Sequence, residues 1–161
     1  MAIRIFHALQ RAHGSVFRAA DKSLKAALGV SATQAGVLFF LADRDGAPIS
    51  DIAEALSMGN SSLTGLIDRM AAQGLVTRGA SKDDGRVVCV HLQPLGEQIA
   101  KAAIAPTRRI NANLLSGFSR TERRTIERFL LKLATDAPSV IRDEWSKGEV
   151  SHSVQARKST A

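Results

Sequence analysis

Residues 50–92 constrain the fold more than any other part of this 161-residue chain. Residues 51–56 read as a short helix capped by Ser50, with Asp51 and Glu54 near its positive dipole end. Ser57-Met58-Gly59-Asn60 has the length of a turn between two crossed helices. Leu63, Leu66, Ile67 and Met70 then recur at i, i+3, i+4 and i+7, the buried stripe of a second helix that Gly74 ends. Residues 75–78 and 87–92 read as two strands, with Val88, Val90 and Leu92 alternating inward. Asp84-Gly85 between them is a hairpin turn signal. The predicted unit is a pair of crossed helices followed by a two-stranded wing.

The rest of the chain reads as helix. Ile5, Phe6, Leu9, Val16, Phe17, Leu24 and Leu28 recur at helical spacing over residues 3–28, and Gly29 is placed to end that helix. Ser31 and Gln34 have the spacing of a capping box, and the helix they open carries Val37, Leu38, Phe40 and Leu41. Gly46 and Pro48 mark a break. Pro94 suits a first helical position, and the pattern then runs through Ile99, Ala103, Ile110, Leu114 and Leu115. Pro106 inside it predicts a kink or division, at a cost of about 3 kcal/mol. Ser119 and Glu122 form a second capping box before Ile126, Phe129, Leu130 and Leu133. Pro138 is expected to end that helix, and the polar residues from Ser146 onward read as a flexible tail.

The predicted fold class is therefore mainly α with a small β-wing. Residues 31–93 form the winged helix-turn-helix, residues 1–30 and 94–145 form a helical dimerisation region, and residues 146–161 form the tail. Two copies of such helices can bury their apolar faces as an antiparallel bundle, and a two-fold dimer needs only one self-complementary patch. An intramolecular bundle is the plainer alternative.

Net charge is +7 and the sequence pI is near 10.3, so nucleic acid is the first partner to consider. Residues 50–92 are themselves nearly neutral: Arg69, Arg78, Lys82 and Arg86 face Asp51, Glu54, Asp68, Asp83 and Asp84. The case for DNA there rests on placed groups. Asn60, Ser61, Ser62 and Thr64 are small polar residues at the start of the second helix, where they can bond base edges or phosphates. Capping the helix accounts for each of them singly as well. Arg69 and Arg78 lie beside them. Lys82 and Arg86 flank the hairpin tip, and a guanidinium suits a narrow A·T-rich minor groove. Asp84 can restrain Arg86 by charge-assisted bonds, whether for insertion or only to tie the loop.

Other classes lack their signatures. There is no phosphate loop, zinc-protease pattern, cysteine pair or nucleophile elbow. His7, His13, His91 and His152 lack metal-ligand spacing. The chain is thus expected to be no enzyme and to need no metal or cofactor. No apolar run approaches the ~18 residues of a membrane span, and Arg4, His7, Arg11 and Arg18 break the N-terminus, which argues against a signal peptide and a membrane partner. One cysteine, Cys89, points to a reducing, cytoplasmic setting.

The run Ile52-Ala53-Glu54-Ala55-Leu56, then Leu63 to Met70 with its Asp68-Arg69-Met70, Gly74-Leu75-Val76, Arg78, Asp84-Gly85-Arg86 and Leu92-Gln93-Pro94-Leu95-Gly96 resembles the MarR family of bacterial winged-helix regulators. The resemblance runs in order over residues 31–133. It implies a dimeric, ligand-responsive transcription factor, usually a repressor, on pseudo-palindromic double-stranded DNA. It also implies that residues 60–73 enter the major groove and Arg86 the minor groove. Gly65 departs from the larger, often basic residue of many members, and Gln93 from the usual threonine before Pro94.

The family commonly binds small aromatic acids between helical frame and winged domain. His7, Arg11 and His13, with Phe17, Phe39 and Phe40 nearby in pattern, are the candidates here. The plainer reading makes the phenylalanines core and the charged residues solvated. Cys89 suggests a thiol-redox-responsive regulator, against which its strand parity predicts a partly exposed packing residue. The Arg120, Arg124, Arg128 stripe, with Arg108, Arg109 and Arg123 near it, either touches DNA flanks or forms a solvated face paired with Glu122 and Glu127. A winged helix used as a protein-interaction module is a further alternative, and it predicts weak DNA binding unchanged by Arg86→Ala.

Overall fold

The computed structural model describes residues 4–81 and 85–147. Six helices and three strands follow in chain order: α1 (Ile5–Leu28), α2 (Ala32–Asp43), β1 (Ala47–Pro48), α3 (Ile49–Ala55), α4 (Asn60–Ala72), β2 (Val76–Ala80), β3 (Val88–Leu92), α5 (Pro94–Leu114) and α6 (Arg120–Lys147). The chain divides into two compact units, Met1–Arg108 and Arg109–Ala161.

The first unit is built on the winged helix. Its core joins Val37, Leu38 and Leu41 of α2, Ile52 of α3, Leu63, Ile67 and Met70 of α4, and Val76 and Val90 of the sheet. Leu24 and Leu28 of α1 and Ile99 of α5 pack against that core. The four residues of the predicted α4 stripe are all buried. Gly29 ends α1 in the left-handed conformation (φ 70°), where a side chain would be strained. Ser31 and Gln34 form the predicted capping box: the Gln34 N–H donates to Ser31 Oγ and the Ser31 N–H to Gln34 Oε1. Asp21 of α1 accepts the Ala32 N–H at 3.0 Å and pairs with Lys25 at 2.6 Å. The Lys25 bond, with help from the Ala32 N–H, holds this carboxyl below the usual aspartate range.

The sheet is antiparallel, in the order β1-β3-β2, with Ala47 opposite Val90 and Arg78 opposite Val90 on the other side. The two-residue β1 has no sequence pattern long enough to reveal it. It is held by Asp45 and Gly46: the Leu92 N–H donates to Asp45 Oδ1 at 2.7 Å and the Gly46 N–H to Val90 O at 3.0 Å. α5 begins hard against the sheet. The Gln93 N–H donates to Leu75 O, and a Cβ on Gly96 would stand 2.1 Å from that same oxygen. Only glycine permits this approach.

The second unit contains the end of α5 and all of α6. Ser119 and Glu122 form the expected second box, at 2.8 and 3.3 Å, and this holds the Glu122 carboxyl below its usual range. The large apolar side chains of α6, among them Phe129, Leu130, Leu131 and Trp145, are exposed.

Several expectations are corrected. α3 starts two residues earlier, with Pro48 at its cap, and the Ser50 hydroxyl bonds Asp51 instead of capping. α5 passes through Pro106 undivided, and α6 continues through Pro138 to Lys147. A helix can absorb a proline where the lost hydrogen bond is solvent-exposed. Val88 is exposed, because it lies at the open end of β3, while Cys89 is buried at 6% exposure. Cys89 sits on the central strand between Pro48 and Gly79, so neighbours on both sides cover a face that alternation alone assigns to solvent. The tail expected from Ser146 lies almost wholly outside the described residues. No single described helix is long and apolar enough to cross a membrane.

Candidate nucleic-acid interface

Gly59, in extended conformation, is the residue before α4, and it offers no side chain to cap it. Asn60 is already the first helical residue, with Ser61 and Ser62 behind it, all exposed. The first N–H groups of a helix have no intrahelical partner, so this end presents donors and a partial positive charge to solvent. Capping by Asn60 or the serines, the plainer reading of these residues, is not how α4 begins. Thr64, one turn on, donates its hydroxyl to Asn60 O at 2.8 Å and keeps its lone pairs.

Two of the candidate arginines have different surroundings. Arg78 of β2 bonds Asp68 of α4 at 2.5 Å, tying wing to helix. Arg69 has no ion pair or hydrogen bond from its side chain among the described residues, and its Nη1 stands 3.6 Å from where a Cβ on Gly65 would be. The far end of α4 is fixed as well, since buried Gln34 of α2 donates from Nε2 to Gln73 Oε1 at 2.7 Å.

The wing is in fixed register. β2 and β3 pair from Val76 opposite Leu92 to Ala80 opposite Val88, and the Ser81 N–H extends the ladder to Val87 O at 2.8 Å. Arg86 is exposed, two residues before β3. Lys82 and Asp84 lie outside the described residues, and with them the expected Asp84–Arg86 bond. Behind the wing, the His91 ring lies over the Gly46 and Gly79 backbones, with Nδ1 3.6 Å from Asp45 Oδ2.

The candidate ligand residues are only partly together. His7 and Arg11 share one face of α1 with Gln10, Ser15 and Arg18, along a shallow depression of about 740 Å³ lined by α1 alone among the described residues. His13 is stacked on Phe17, ring centres 4.3 Å apart. Phe39 belongs to α2 and is half-buried against the winged-helix core, as is Phe40. In the second unit Arg120, Arg123 and Arg124 line a groove with Leu115, Ile126 and Leu130, and Arg123 donates to Phe118 O at 2.9 Å. Among the described residues no three His, Cys, Asp or Glu side chains gather as metal ligands would.

Sequence reasoning missed the Asp68–Arg78 tie, the Gln34–Gln73 bond and the role of Gly59. The first two join residues that no local period relates. The one available signal was the placement of opposite charges on the outward faces of adjoining elements.

A helix pair, a braced wing and an open α4 start are what a winged-helix DNA reader needs. The MarR family model matches residues 28–87, which span α2 to the wing tip. A protein of Thauera aromatica assigned by name to transcriptional regulation of the hcr operon is 26% identical over 141 residues, 86% of this chain and 84% of that one. Over residues 28–87 the chain matches the MarR family of winged-helix regulators. Members of this family regulate transcription and are not enzymes. S. aureus MepR, solved with DNA, superposes with a TM-score of 0.76 at 20% identity, covering 84% of this chain and 99% of that one. CouR of Rhodococcus jostii RHA1, solved with p-coumaroyl-CoA, superposes at 0.74 and 22% identity, covering 82% and 92%. At such identities these structures establish the shared fold.

Proposed function

We propose that two copies of this MarR-family regulator bind a pseudo-palindromic DNA duplex and repress transcription until a small aromatic acid, free or as a thioester, releases them. α4 enters the major groove through Asn60, Ser61, Ser62, Thr64 and Arg69. The wing carries Arg86, with Lys82 and Asp84 beside it, to the minor groove. Arg78 braces the wing on Asp68.

The observation that carries this reading is the exposed, uncapped start of α4 beside a wing locked in register on the same core. Small residues on the α4 face let the helix sit deep, and its free N–H groups suit a phosphate. Pairing of two copies is supported by the exposed apolar residues of both units, Phe6, Val16 and Phe17 on α1 and Phe129, Leu130 and Trp145 on α6. Surfaces of this kind mark interfaces in soluble proteins. Ligand release needs an effector that favours one spacing of the two reading heads. His7 and Arg11 on α1 are placed to meet a carboxylate, with His13 and Phe39 as more distant candidates. A redox role for Cys89 is disfavoured by its burial.

The test is a gel-shift titration at fixed salt on DNA selected from a random pool. Arg86→Ala should weaken specific binding by about 1–3 kcal/mol. Unchanged affinity removes the wing from the interface and favours a protein-interaction module. Repeating the titration with a panel of aromatic acids tests the effector.

A further inference from the structure

The outward face of α4 is made almost entirely of short side chains: Ser61, Gly65 and Ala72, with Asp68 committed to Arg78. Gly65 lies at the centre of that face. A helix interior is a poor place for glycine, which costs about 1 kcal/mol relative to alanine, so its presence asks for a reason. The backbone gives none, since Gly65 is absent from the positive-φ residues. Space gives one. Among the described residues, and apart from its own helix backbone, a Cβ at this position would meet only Arg69 Nη1 within 4 Å, at 3.6 Å. The Arg69 side chain runs back along the helix toward its N-terminus, as long helical side chains do, and its guanidinium overhangs the bare backbone at Gly65.

We infer that Arg69 is the specificity-determining residue of this helix, and that Gly65 is the gap through which its guanidinium reaches a guanine edge in the major groove. This rests on the DNA-binding reading above. A guanidinium held at the rim of a helix meets phosphates. One lying over the middle of a face with no other long side chain is carried to the groove floor, where it matches guanine O6 and N7 in a bidentate bond. Arg69 has no competing acid among the described residues, because its neighbour Asp68 is occupied by Arg78. The two arginines therefore divide the work: Arg78 braces and Arg69 reads.

The test is selection of bound sequences from a random duplex pool by the full chain, by Arg69→Gln and by Gly65→Leu. Affinities are then measured on the selected site and on single-base variants. Arg69→Gln should lose roughly 5- to 150-fold discrimination at one guanine in each half-site and keep the other positions. Gly65→Leu fills the gap while leaving the charge, and should lose the same guanine preference. Gly65→Ala, which meets only an ordinary van der Waals contact, should retain it and serves as the folding control. Uniform weakening across sequences by Arg69→Gln, with a shallower salt dependence and no effect of Gly65→Leu, makes Arg69 a phosphate contact and overturns the inference. If the unmodified chain selects no sequence at all, the DNA-binding reading itself fails, a result distinct from either.

Discussion

At the scale of single residues, some charged groups hold the winged helix together, while others are left open to solvent and are the ones proposed to meet DNA. Arg78 and Asp68 form an exposed ion pair, worth no more than ~1 kcal/mol. Arg78→Ala should therefore leave thermal stability within that margin and leave the salt dependence of DNA binding unchanged. A slope reduced by about one would instead make Arg78 a phosphate contact. Asp21 is a holding group of another kind, joining α1 to the start of α2. Its carboxyl is depressed by Lys25 and the Ala32 N–H, so the stabilisation is present above the ordinary aspartate value of 3.8 and is lost as pH falls through the lower folded value. Thermal melts of Asp21→Asn should lie below those of the unmodified chain at neutral pH and converge with them below pH 3.8. A gap that persists in acid contradicts that account.

At the scale of elements, the sharpest constraint is the seating of α5 on the sheet. A methyl on Gly96 collides with the Leu75 carbonyl, which also accepts the Gln93 N–H and cannot easily move. Gly96→Ala should cost ~1–3 kcal/mol or more in urea unfolding, far beyond an exposed glycine substitution. The elements that carry a period were legible in the sequence: the α4 stripe, both capping boxes and the paired strands of the wing. What escaped was set by neighbours. β1 pairs with β3 beside the Asp45 and Gly46 hydrogen bonds, and Cys89 is buried on the central strand between Pro48 and Gly79. Pro138 stops no helix, since its surroundings are solvent and the lost bond can be met by water. Of the candidate interface, the polar start of α4 and Arg86 were legible as candidates, and both are exposed. The Asp68–Arg78 pair and the Arg69 guanidinium over Gly65 were not, because each depends on side chains meeting in three dimensions.

At the scale of the whole molecule, the account joins two copies through apolar helix faces and sets their reading heads on one side of a duplex. The exposed Phe6, Phe17, Phe129 and Trp145 should become protected on association, so the midpoint of thermal unfolding should rise with protein concentration. A concentration-independent midpoint contradicts the pairing. The most direct test of the central claim is a hydroxyl-radical footprint of the purified protein on its selected duplex. Two protected half-sites with centres about 34–36 Å apart, one helical turn, are predicted. A single protected patch, or protection indifferent to sequence, contradicts it.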